Sequence, residues 1–141
     1  FYEICKLYEN NKSIYFLQKH NQENASKKIY CYNHSFINAI SHTKKFKNEF
    51  SNLVFLELIN KHNDIYYLDN IDFYIKSKNI AIVPIPFFNT FLTGNLIKKI
   101  IKSAQELNIN EINIITISNN EKISDPKLKI IVLPFYEWAL S

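Results

Sequence analysis

Glu57 and Asp72 are the carboxylates whose setting could support chemistry. Glu57 shares a helical face with Leu53 and Val54, where a carboxyl group can be tuned by its surroundings, with Asp72 as a possible partner. The same residue also reads as an edge position neutralised by a lysine. His20, His34, His42 and His62 are scattered through polar turns, and a catalytic triad is a matter of geometry that their spacing does not supply. Cys5 and Cys31 lie far apart, with no CxxC pair and no histidine at ligand spacing, so they read as reduced thiols and no metal site is expected. Lys27, Lys28, Lys44, Lys45, Lys47, Lys98, Lys99 and Lys102 form three clusters. They could make a phosphate-facing stripe with Tyr30, Tyr32, Tyr66 and Tyr67 as stacking surfaces, or they could simply be solvated faces.

All 17 basic residues are lysine, and the net charge is +4. Phosphate contacts are therefore open to this chain, while planar bidentate guanidinium contacts are not. A single glycine excludes a glycine-rich phosphate loop. With 141 residues, 47% of them hydrophobic and 15% aromatic, the chain can bury one domain-sized core and does not resemble a disordered tail. The most apolar runs, residues 80–88 and 112–117, are strand-length and far from the roughly 18 residues of a membrane span. No membrane association and a cytoplasmic setting are expected. Phe1 is followed by no signal-peptide pattern, so the sequence reads as beginning mid-protein.

The elements that must position these residues are legible in outline. Residues 4–7, 13–17 and 28–32 read as short strands around polar turns, and 34–41 as a short helix. Phe46, Phe50, Leu53, Val54, Leu58 and Ile59 recur at helical spacing. Residues 65–68, 71–75 and 80–85, separated by polar turns, make a three-stranded meander. Leu92, Leu96, Ile100, Ala104 and Leu107 then give an amphipathic helix whose other face carries Lys98, Lys99, Lys102, Ser103 and Gln105. Residues 112–117 and 128–133 are buried strands by composition, and Pro134 opens a final short helix. The result is an α/β layer with helices packed on a mixed sheet.

That order, with Asn52-Leu53-Val54-Phe55-Leu56-Glu57-Leu58, Ile65-Tyr66-Tyr67, Ile71-Asp72-Phe73-Tyr74-Ile75-Lys76 and the closing residues 129–140, resembles the C-terminal domain of bacterial and archaeal AAA-superfamily ATPases. Residues 27–33 are similar to that family's Lys-Lys-Ile-Tyr-Phe-Asp-type strand, and the resemblance runs from about Lys27 to the end. It implies a restriction-endonuclease-like mixed sheet of the PD-(D/E)xK type over residues 33–141, flanked by helices. Residues 1–32 would be the hairpin remnant of a winged-helix segment. The expected partners are the protein's own N-terminal ATPase domain and DNA or another protein. ATP and Mg²⁺ are expected only in a missing ATPase part, and no cofactor in this chain.

A nuclease of that fold needs an Asp at the start of one strand and a Glu or Gln on the next to hold Mg²⁺ against phosphate, with a lysine two residues further on. The resemblance places the Asp on Asp72, the second acid on Pro84, the lysine on Pro86 and a preceding helix acid on Ser51. One carboxylate remains, so the implied site is degenerate and non-cleaving. A nuclease with migrated residues, using Glu57 and Lys76, is the alternative. Asp72 also reads as a strand-start residue making a turn contact. Pro84 and Pro86 lack amide donors on one side of their strand, so the end of that strand is expected to be unpaired there, or simply to terminate.

Overall fold

A computed structural model describes residues 14–31 and 46–141, without the side chains of 90–92. The expected strand at residues 4–7, the expected helix at 34–41, and Cys5, Tyr32, His34, His42, Lys44 and Lys45 lie outside the described residues.

The chain opens with the hairpin β1 (Ile14–Leu17) and β2 (Lys28–Cys31), followed by α1 (Phe46–Lys61). Then come β3 (Ile65–Leu68), β4 (Ile71–Ile75), β5 (Ile80–Pro84) and α2 (Thr90–Glu106). The chain closes with β6 (Glu111–Thr116), β7 (Glu121–Lys122), β8 (Lys129–Pro134) and α3 (Phe135–Leu140). Six strands form one mixed sheet in the order β3-β4-β5-β6-β8-β7. The β3–β4–β5 meander is antiparallel, β5, β6 and β8 run parallel, and β7 returns antiparallel along β8. The mixed α/β sheet flanked by helices is thus present as expected. The two-residue β7 has no periodicity by which a sequence could announce it.

The parallel strands read as nearly unbroken Ile and Val runs because both of their faces are covered. On one face α2 packs Ile97, Ile100 and Ala104 against Tyr74, Val83, Ile112, Ile114 and Val132. On the other, α1, α3 and the hairpin bring Phe50, Val54, Phe55, Leu58, Trp138, Leu17 and Tyr30 onto Phe73, Ile75, Ile82 and Ile115. Phe73 is wholly buried, and a side chain of that size contributes roughly 1.5–3 kcal/mol through burial.

Both helices differ in phase from the simplest reading of their apolar residues. Leu53, expected inward, is 36% exposed, while the polar Ser51 and Asn52 are buried. The buried positions 50, 51, 52, 54, 55 and 58 span more than half of the circumference of α1, which lies between hairpin and sheet. Asn52 makes that double burial workable. Its Oδ1 accepts from the Cys31 amide at 2.7 Å and its Nδ2 donates to the Cys31 carbonyl at 2.6 Å, in place of a neighbouring strand. In α2 the buried stripe runs through Ile97, Ile100 and Ala104, whereas Leu107 is 47% exposed.

Tight turns fall to asparagine in this glycine-poor chain. Asn21, Asn70, Asn79 and Asn108 all take positive φ, between 53° and 62°, the left-handed region that Asn tolerates best after Gly. Asn79 also ties two turns together. It accepts from the Tyr74 hydroxyl at 3.0 Å and donates to the Asn108 carbonyl at 2.7 Å.

Candidate functional site

The site begins with a register shift. Tyr66 pairs with Tyr74 and Leu68 with Ile71, so Tyr67 alone faces two residues of β4, Asp72 and Phe73. This is a β-bulge, which inserts a residue and re-aims side chains. Ile71 and Tyr74 accordingly pack on the α2 face, while Phe73 and Ile75 pack on the opposite one. Asp72 meets the hairpin, its Oδ1 lying 3.8 Å from Lys28 Nζ.

Lys28 is the first residue of β2, and its ammonium also lies 4.6 Å above the Tyr67 ring. The Tyr67 hydroxyl donates to the Ser26 carbonyl. Its backbone completes a short parallel ladder with the segment after β1: Tyr67 N donates to Gln18 O and His20 N to Tyr67 O, each at 3.1 Å. Lys19 and Asp69 close the same seam with a 2.8 Å ion pair. Asp72, Lys28 and Tyr67 therefore belong to the junction where the hairpin is stitched to the sheet.

The Asp72 side chain is only 21% exposed. Burial pushes its carboxyl above the ordinary carboxylate range, and the nearby Lys47 and Lys28 ammonium groups pull it back. Tyr30 stacks on Phe55 with centroids 4.4 Å apart and leans on Phe73. Burial raises its hydroxyl well above the usual tyrosine value, and the negative charge of Asp72 adds to the effect. Tyr30 is thus a core residue, held neutral, with no open face for stacking.

On the next strand, Pro84 and Pro86 are both buried. The β4–β5 ladder ends at Phe73 and Ile82, two residues before Pro84. On the other side β5 stays paired: Ile85 N donates to Ile115 O at 2.9 Å, and Ile117 N donates to Pro86 O at 3.0 Å. Successive strand amides point to opposite edges, so the missing proline donor of Pro84 faces β4. The expected unpaired end is present on that side alone.

Glu57 pairs with Lys61 at 3.2 Å, one helical turn on. Lys61 in turn donates to the Ala139 carbonyl at 3.0 Å, which ties α1 to α3. Lys76 lies in the turn after β4, its amide bonded to Asp64 O. Four residue steps along the strand separate it from Asp72, on the order of 13 Å. Among the lysines, Lys27 and Lys47 are exposed near the Asp72 junction, while Lys98, Lys99 and Lys102 are exposed on α2, across the sheet. The described lysines of the three clusters thus occupy two faces rather than one stripe. Ser51 is buried in α1. Among the described residues, no three His, Cys, Asp or Glu side chains come together as metal ligands would. No helix of these residues is long and apolar enough to cross a membrane.

Sequence reasoning missed Lys28 and Tyr67 as the neighbours of Asp72, because the bulge that joins them is a property of strand pairing. Asn52 carried no signal either, since it follows Ser51 in a half of α1 that also holds Lys47, Asn48 and Glu49. Compared with known proteins, the chain matches no family model, no curated protein and no solved structure.

Proposed function

We propose that this chain is a non-catalytic accessory domain of restriction-endonuclease-like fold. It serves as an interaction module for a protein or nucleic acid beside an AAA-type ATPase in the cytoplasm. The observation that carries the non-catalytic reading is the pair of buried prolines, Pro84 and Pro86, where the resemblance would place the second acid and the lysine. Mg²⁺ binds through one or two carboxylates together with substrate phosphate, and Asp72 is already engaged by Lys28.

The fold reading is supported by the succession of helix, three-stranded meander, helix and parallel strand, with Asp72 at the head of the middle meander strand. The ATPase neighbour rests on the resemblance of the quoted phrases, and ATP and Mg²⁺ belong to that neighbour. A protein partner is favoured over nucleic acid by the two-sided distribution of the lysines. An outward aromatic pair favours it further: Phe46 stacks on Phe87 with centroids 5.4 Å apart, and Phe87 is 71% exposed.

The deciding experiment incubates the chain with supercoiled, linear and single-stranded DNA in Mg²⁺ and in Mn²⁺. No cleavage is expected. Metal-dependent cleavage abolished by Asp72→Ala would overturn the reading, and loss of that cleavage in Glu57→Gln or Lys76→Ala would establish the migrated nuclease. Any DNA binding by lysine–phosphate contacts should weaken steeply with added salt and vary little with sequence.

A further inference from the structure

We draw no further inference here: the strongest candidate, the open groove at the β7 end of the sheet lined by Glu121, Lys122, Ile130, Ile131 and Val132, is an unpartnered edge two residues long, and nothing in the structure shows what covers it.

Discussion

At the scale of single residues, Asp72 is informative because its environment pulls in two directions. Burial at the bulge favours the protonated form, and the ammonium groups of Lys47 and Lys28 favour the charged one, with burial the larger influence. A carboxyl group whose folded pKa lies above its unfolded value binds its proton more tightly in the folded state. Stability is then lost as pH rises from the ordinary carboxylate value through the raised one, and the loss persists at neutral pH. Asp72→Asn, which keeps the shape and removes the charge, should raise the urea midpoint at pH 7 and change it little near pH 3. Unfolding curves at the two pH values check this, and a lower midpoint at pH 7 would mean that the Lys28 pair outweighs burial. Asp72 could be picked out from the sequence as a carboxylate at a strand start. Its partners could not, because strand periodicity says nothing of where a ladder gains an extra residue.

At the scale of elements, most of the strands and both long helices were readable, since Ile-rich runs bounded by Asn, Asp and Lys turns leave few alternatives. What periodicity left open was orientation. α1 carries apolar residues on most sides because it has two neighbours to satisfy, and a pattern built for one buried face cannot say that Leu53 faces out and Asn52 in. The Asn52 amide matters only once β2 is placed beside it. α2 offers a direct test of local energetics at Gly94, in its interior, where an added Cβ would meet nothing within 4 Å. Gly94 lies outside the positive-φ positions, so Ala fits without strain and reduces the freedom of the unfolded chain. Gly94→Ala should stabilise the protein by about 0.5–1 kcal/mol, raising the thermal midpoint by a few degrees. A fall in that midpoint would reveal a neighbour on this face of the helix that the contacts do not include.

At the scale of the whole molecule, two histidines link stability to pH. Burial lowers His20, aided by Lys76, while His20 also packs edge-on against Tyr66 and Tyr74. Burial lowers His62 as well, with Lys78 and Lys61 adding to the effect and Asp64 opposing it. Both are favoured neutral in the fold, so their contribution is fully present above the ordinary value near 6.5 and is lost as pH falls through the lowered values. The urea midpoint should therefore drop between pH 7 and pH 5, and the double change His20→Gln with His62→Gln should flatten that drop. An unchanged slope in the double variant would place the acid sensitivity elsewhere. The seam at Tyr67 has a consequence for assembly. The outward-facing amide and carbonyl of Tyr67 are both taken by residues 18–20 of the same chain, so the β3 end of the sheet has no template to offer at its centre. At the other end β7 covers only Val132 and Ile131 of β8. A sheet open at both ends can recruit copies in either direction and grow into a fibre, whereas one open at a single end meets one further copy and stops.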